Sequence, residues 1–86
     1  MKLTKEESKL YHSHTLRNRH EIDQSEYCSC ISCCNTFPSP MVMDFIKDGD
    51  DETALCPNCG IDAVIGDGSG LEINGEILKI LNKIWF

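Results

Sequence analysis

Cys30-Ile-Ser-Cys33 is the stretch that decides the fold, together with Cys56-Pro-Asn-Cys59-Gly60, which follows after 22 intervening residues. Each stretch contains a C-x2-C pair, and two such pairs can supply four thiolates for one tetrahedral zinc ion. We therefore predict a zinc site in which the metal ligands are Cys30, Cys33, Cys56 and Cys59.

The second pair has the more specific signature. Pro57 fixes the entry to the tight turn, and Gly60 tolerates the positive φ that is often needed just after the second ligand. Backbone N–H groups of such a turn can point at the sulfurs. In the first pair Cys34 stands where glycine is expected, so this pair departs from the pattern.

Two cysteines remain outside this ligand set. Cys28 lies two residues before Cys30. Side chains at that separation on a strand share a face, which makes Cys28 an alternative ligand. The x2 spacing favours Cys30. We expect Cys34 to point away from the metal and to behave as a small buried hydrophobe.

Other metal and thiol chemistries fit the sequence less well. Residues 1–9 contain no apolar signal segment and no later run could span a membrane, which predicts a cytoplasmic protein with reduced thiols rather than disulfides. A rubredoxin-like iron remains an alternative, as do two metals shared among the six cysteines and the three histidines. A catalytic zinc needs an open coordination position, and no signature marks a base beside a nucleophilic cysteine. We predict no catalytic residues and no cofactor other than Zn²⁺.

Charge is distributed unevenly along the 86 residues, which carry a net charge of −6. Residues 1–20 contain five cations and two acids, a balance of +3, whereas residues 21–86 contain three cations and twelve acids, a balance of −9. Nucleic acid needs counter-charge, so an acidic body binds it poorly. Only the N-terminal segment has the required sign, through Lys2, Lys5, Lys9, Arg17 and Arg19.

The predicted fold is a small α+β zinc-binding domain with zinc-ribbon-like knuckles and a short β-hairpin. We expect a helical arm over residues 1–25 and one compact zinc-binding unit over residues 26–86. The Thr4-Lys-Glu-Glu7 stretch fits a capping box. It predicts a helix over residues 5–23, with a break near 12–14 left open.

A short middle helix is predicted after Ser39-Pro40, which has the form of an N-cap followed by proline at the first helical position. Met41, Phe45 and Ile46 would share one face of this helix, and Gly49 would end it.

The last third of the chain is predicted to form two strands, a plain turn and a helix. Residues 53–56 and 63–65 resemble short strands, which predicts a hairpin with the second cysteine pair at its tip. Residues 66–70 are the turn. The amphipathic helix covers residues 75–85 and is capped by Asn74. The side chains expected to pack inward over the hairpin are Ile77, Ile80, Leu81, Ile84 and Trp85. We expect Trp85 and Phe86 to close the core, with Phe86 as a docking point in the alternative.

The segment from Thr53 to Gly66, the Cys28-Ser-Cys-Ile-Ser-Cys33 stretch and the closing Trp85-Phe86 resemble a family of short bacterial and phage proteins that are described only as cytoplasmic proteins. The resemblance covers residues 14–86 and is most specific around the C-P-x-C-G-I-D stretch. It implies a small cytosolic domain with a zinc-ribbon-like centre, often carried by mobile elements. It also implies metal ligands at the same four cysteines and transfers no catalytic role.

Three functions follow as hypotheses. The first is a non-enzymatic protein-binding module, in one version a phage or mobile-element inhibitor that docks on a basic surface of a host protein through acidic loops around residues 48–52. The second is a nucleic-acid-binding zinc ribbon that uses the basic N-terminal helix. The third is an enzyme or redox protein. The first is favoured, duplex DNA and membranes are not expected partners, and the oligomeric state is not predicted.

Overall fold

Two α-helices, five short strands and a third α-helix follow one another along the chain in a computed structural model that describes residues 2–86. The helices are α1 (Lys5–Ser13), α2 (Arg19–Asp23) and α3 (Gly75–Trp85). The strands are β1 (Tyr27–Cys30), β2 (Thr36–Pro38), β3 (Phe45–Asp48), β4 (Asp51–Ala54) and β5 (Val64–Gly66). The predicted small α+β class is confirmed.

The N-terminal capping box is confirmed and the helix behind it is divided. The backbone N–H of Glu7 donates to Thr4 Oγ1 over 3.0 Å, and the N–H of Thr4 donates to Glu7 Oε1 over 2.9 Å. The break lies at residues 14–18, slightly later than residues 12–14. Arg17 has a left-handed φ of +49° there, which a continuous helix cannot contain.

Two antiparallel sheets form the β part of the fold. In the first sheet β1 lies between β2 and β5. In the second, β3 and β4 form a hairpin. The two-residue loop of the hairpin is Gly49-Asp50, and φ at Gly49 is +68°. Glycine at the first central position is typical of a type II′ turn.

The prediction of a short middle helix is wrong. Ser39–Met41 forms only one 3-10 turn, and the chain then enters β3. Phe45 and Ile46 are paired with Ala54 and Thr53 across the hairpin, a setting that favours aromatic and β-branched side chains. Gly49 therefore begins a hairpin turn and does not end a helix.

The prediction that the strands on either side of the second cysteine pair form one hairpin is also wrong. Both strands exist, but β4 pairs with β3 and β5 pairs with β1. The buried side chain of Asn18 lies between them. It accepts a hydrogen bond from the N–H of Ala54 over 3.1 Å and donates to the carbonyl of Val64 over 2.7 Å. The side-chain amide of Asn18 thus takes the place of the direct β4–β5 hydrogen bonds that the predicted hairpin would have.

Helix α3 is confirmed at residues 75–85, and Asn74 Oδ1 caps it by accepting from the N–H of Ile77. The predicted inward face is correct only in part. Of the predicted residues, Ile77 and Leu81 are buried and Ile80 is half-buried, whereas Ile84 and Trp85 are exposed by 49% and 37%. Leu78, which the prediction left out, is buried. The last turn of the helix extends past the core, and there the Trp85 ring lies 4.2 Å from the ring of His12.

The expectation that Trp85 and Phe86 close the core is therefore wrong, since Phe86 is 60% exposed. The buried apolar side chains form one cluster instead, to which all three helices and both sheets contribute. Those exposed by 2% or less are Ile22, Cys28, Cys30, Ile31, Ala54, Val64, Ile65, Ile77, Leu78 and Leu81.

The predicted N-terminal arm lies against the rest of the chain. Helix α2 contacts β4, β5 and the 3-10 turn Asp67–Ser69. This 3-10 turn lies where the sequence predicts a turn, at residues 66–70. The division into residues 1–25 and 26–86 stays a prediction. Across residues 2–86, no helix combines the length and the hydropathy that crossing a bilayer requires.

Candidate metal centre

The two cysteine pairs lie on two turns with the same backbone hydrogen bonds. In the first knuckle, residues 30–35, the N–H of Cys34 donates to the carbonyl of Cys30 and the N–H of Cys30 donates to the carbonyl of Asn35. In the second knuckle, residues 56–61, Gly60 donates to Cys56 and Cys56 donates to Ile61. All four distances lie between 2.8 and 3.0 Å.

The matched turns bring four thiols to one point. Their sulfurs all lie within 4.8 Å of one another, and they belong to the predicted set, Cys30, Cys33, Cys56 and Cys59. Across the two knuckles, the sulfurs of Cys30 and Cys59 are 3.6 Å apart and those of Cys33 and Cys56 are 3.7 Å apart.

These distances match a tetrahedral metal site. Four sulfurs at about 2.3 Å from a central ion are separated by about 3.8 Å along each edge. A disulfide would instead bring two sulfurs to about 2.05 Å, and all six cysteines are free. The donor set therefore fits a thiolate-bound metal, and the identity of that metal stays a prediction.

Nitrogen donors around the cluster point at the sulfurs. The backbone N–H groups of Asn58 and Cys59 lie 3.3 and 3.4 Å from the sulfur of Cys56. The side-chain amide of Asn35 lies 3.5 Å from the sulfur of Cys33. Such contacts stabilise the negative charge that four thiolates place around one divalent ion.

The thiol pKa values differ sharply within the cluster. Burial raises the pKa of Cys30 above its ordinary value and acts in the same direction on Cys56. Burial also acts on Cys33, but hydrogen bonds from Asn35 and Asn58 outweigh it and lower its pKa to about 6. Because metal ligands must be thiolates, binding of an ion here would release protons.

Cys28 lies outside the cluster. It is buried in β1 opposite Phe37 and Gly66. Burial, assisted by the negative charge of Asp67, raises its pKa to about 11. Two residues along a strand span about 6.6 Å, so when Cys30 reaches the metal position Cys28 does not.

Cys34 lies outside the cluster too, as expected, but the expectation that it is buried is wrong. Its sulfur lies 3.8 Å from the carbonyls of Ile31 and Leu78. Its φ is +61°, so it occupies the left-handed position that glycine would fill. Gly60 holds the equivalent position with φ at +79°, as its place after the second ligand predicts.

Within residues 2–86, the four-cysteine cluster is the one group of three or more histidine, cysteine or acidic side chains that could hold a metal ion. The alternative of two metals shared among the cysteines and histidines gains no site from this geometry. His14 contacts the carboxylate of Glu21 at 2.8 Å and does not approach the sulfurs.

Sequence reasoning missed the asparagines that organise the centre. Asn58 could have been found, because it lies inside the second C-x2-C turn. Asn35 and Asn82 carry no such signal. Asn82 donates to the carbonyls of Ile31 and Ser32 from α3, 50 residues away in the sequence, and only the tertiary structure brings them together.

Comparisons of the chain with protein-family models, with characterised proteins and with solved structures gave no match. The resemblance to short bacterial and phage cytoplasmic proteins therefore stays a prediction.

Proposed function

We propose that this chain is a non-enzymatic, zinc-stabilised protein-binding module that docks on a basic surface of a partner protein. We place it in the cytoplasm, where thiols stay reduced and available for metal. The resemblance to phage-borne proteins extends the proposal to an inhibitor of a host protein.

The assignment of a structural role to the zinc ion is supported by the donor set. Four thiolates fill a tetrahedral shell, whereas catalytic zinc sites keep a position for water or substrate. Zinc is preferred to a rubredoxin-like iron because it is the usual ion of paired C-x2-C knuckles with tetrahedral geometry. In a chain this short the bound ion would hold the two knuckles together and add to a small core.

One observation favours a protein partner over nucleic acid. The two arginines of the N-terminal segment are held by acids of the β3–β4 hairpin. Arg17 Nε lies 3.5 Å from the carboxylate of Asp48, and Arg19 Nη1 lies 2.9 Å from that of Glu52. Arg19 also lies over the ring of Phe45 at 4.4 Å. The positive charge that a nucleic-acid interface needs is therefore partly neutralised within the molecule.

The same contacts refine the docking hypothesis. Two of the acids assigned to docking, Asp48 and Glu52, already bind arginines. Asp44 and Asp50 are exposed and are the better candidates for contact with a basic partner.

A binding comparison tests the proposal. We expect the affinity of the zinc-loaded protein for duplex DNA to be weaker than micromolar at physiological salt. The reason is that residues 21–86 carry a net charge of −9. We expect affinity capture to retain a basic protein whose binding weakens as salt rises and in a D44N/D50N variant. DNA binding at micromolar affinity or tighter would favour the nucleic-acid alternative, with Lys2, Lys5 and Lys9 as its contacts.

A further inference from the structure

The β3–β4 hairpin has two edges, and the β4 edge is occupied. The N–H of Ala54 donates to Asn18 Oδ1 over 3.1 Å. Beside it, the N–H of Arg17 donates to the hydroxyl of Thr53 over 2.9 Å. The N-terminal segment therefore covers β4, and no further strand can add there.

The β3 edge has its hydrogen-bonding groups turned outward. The N–H of Leu55 donates to the carbonyl of Asp44 over 2.9 Å, which makes these residues a hydrogen-bonded pair of the ladder. Such pairs alternate along an antiparallel ladder, so the N–H and C=O groups of Phe45 and Lys47 point away from β4. Among residues 2–86, nothing hydrogen-bonds to these outward groups.

Exposed apolar side chains accompany this edge. Ile46 on β3 is 45% exposed and Met43, just before it, is 80% exposed. An added strand needs pockets or apolar contacts for its side chains as well as backbone partners. The β3 edge offers apolar contacts and outward backbone groups together.

The charge around the edge indicates what kind of strand would add. Residues 43–55 contain five acids and one cation, Lys47, a balance of −4. Two copies of this edge would repel each other, and each whole chain carries −6. A basic segment of another protein would be attracted to the same surface.

We propose that the free edge of β3 accepts an extended, basic segment of a partner protein, with alternating lysine or arginine and apolar residues, as a third strand of the hairpin sheet. The proposal rests on the proposed function and specifies its site and binding mode. The backbone of Phe45 and Lys47 supplies the hydrogen bonds. Because side chains alternate along a strand, the apolar side chains of the partner contact Met43 and Phe45 on one face of the sheet. Its cations lie on the other face, where Asp44 and Asp50 attract them and Ile46 contacts their aliphatic stems.

The test uses a capped heptapeptide of alternating lysine and valine, titrated into the zinc-loaded full chain and followed by ¹⁵N NMR. We expect the largest shifts at the amides of Phe45 and Lys47, together with slower exchange of those amides. A peptide of the same sequence that is N-methylated at alternate residues on its edge-facing side keeps its charge and cannot make the hydrogen bonds, and we expect it to bind at least tenfold more weakly.

A matched pair of variants tests the protein side. Lys47→Pro removes an outward N–H and blocks the edge, a substitution that edge strands tolerate, and we expect at least tenfold weaker peptide binding. Lys47→Gln keeps the N–H and should bind within about twofold of the natural chain, since a rim charge contributes modestly. If Lys47→Pro does not fold, the N-methylated peptide still decides.

Three results would overturn the inference: equal binding of the N-methylated peptide, shifts centred on α3 or on the knuckles, or a concentration-dependent dimer that pairs β3 with β3. The first two would leave the proposed function standing with a different docking site. Failure of the natural chain to bind any cationic peptide or basic protein would contradict the proposed function as well.

Discussion

The two knuckles have the same backbone hydrogen bonds but obtain them in different ways. The second knuckle depends on its own sequence, with proline, asparagine and glycine at positions 57, 58 and 60, all exposed. The first has Cys34 in a left-handed conformation and is supported from outside. There the side chain of Asn82 donates to the carbonyls of Ile31 and Ser32 over 3.1 and 2.8 Å. One turn is specified locally and its counterpart by packing against α3.

The largest expected effect is the loss of folding. It should be the same for a ligand of either knuckle, because the metal site needs ligands from both. Cys56→Ser and Cys30→Ser should each abolish cooperative folding, since structural zinc contributes roughly 10–16 kcal/mol of apparent binding energy. Chemical unfolding followed by circular dichroism, with metal analysis of the purified protein, measures both losses.

Cys34→Ser is the matched control for these ligand variants, because Cys34 lies outside the cluster. It should retain one zinc per chain and a cooperative transition. A Cys56→Ser protein that still unfolds cooperatively would show that the apolar core holds the fold without the ion.

The second expected effect is a pH dependence of the zinc affinity, which arises because the four thiols differ in protonation. At pH 7 the raised pKa values keep Cys30 and Cys56 protonated in the metal-free protein, whereas Cys33, with a pKa of about 6, is mostly a thiolate. Zinc must displace the protons that are present, so affinity falls as pH falls. We expect a loss of at least 100-fold per pH unit between pH 8 and 6, or tenfold for each of at least two protons.

Below pH 6 Cys33 also gains a proton, and the loss of affinity should become steeper by about another tenfold per unit. Competition with a chelator of known pH dependence gives the curve. A slope of less than tenfold per unit around pH 7 would mean that the metal-free thiols are already ionised.

The third expected effect distinguishes the knuckles. Asn82→Ala removes the donor for the carbonyls of Ile31 and Ser32 and should lower the free energy of unfolding by about 1–3 kcal/mol. Lys83→Ala, one residue further on the exposed side of α3, is the control and should change it by less than about 0.5 kcal/mol. Equal effects of the two substitutions would mean that the first knuckle does not depend on α3.

This difference also explains what could be predicted from the sequence. The ligand set, the second knuckle, the capping box at Thr4 and helix α3 are local patterns, because spacing or periodicity within a few residues determines them. The separation of β4 from β5 could not be found this way. It depends on the side chain of Asn18, which reaches Ala54 across 36 residues and Val64 across 46.

The middle helix failed as a prediction for a related reason. Ser39-Pro40 does begin a 3-10 turn, so the local signal was present. The pairing of β3 with β4 then determines the conformation of the residues that follow. Likewise, periodicity identified α3 but could not show that the core ends before Ile84, since the length of the neighbouring elements sets that limit.

The smallest expected effect comes from exchanging the residue at the left-handed position of each knuckle, glycine in the second and cysteine in the first. Gly60→Ala places a side chain at a φ of +79° with no atom within 4 Å of the added methyl group, so its cost comes from the backbone alone. That cost is about 1–2 kcal/mol. Cys34→Gly relieves similar strain, but glycine gains about 0.5–1 kcal/mol of freedom in the unfolded chain. We therefore expect Cys34→Gly to stabilise by less than about 1 kcal/mol.

Thermal unfolding of the zinc-loaded variants measures both changes. A Cys34→Gly protein less stable by more than 1 kcal/mol would show that the contacts of the Cys34 sulfur with the carbonyls of Ile31 and Leu78 outweigh the strain, and the first knuckle would then depend on α3 through its cysteine as well as through Asn82.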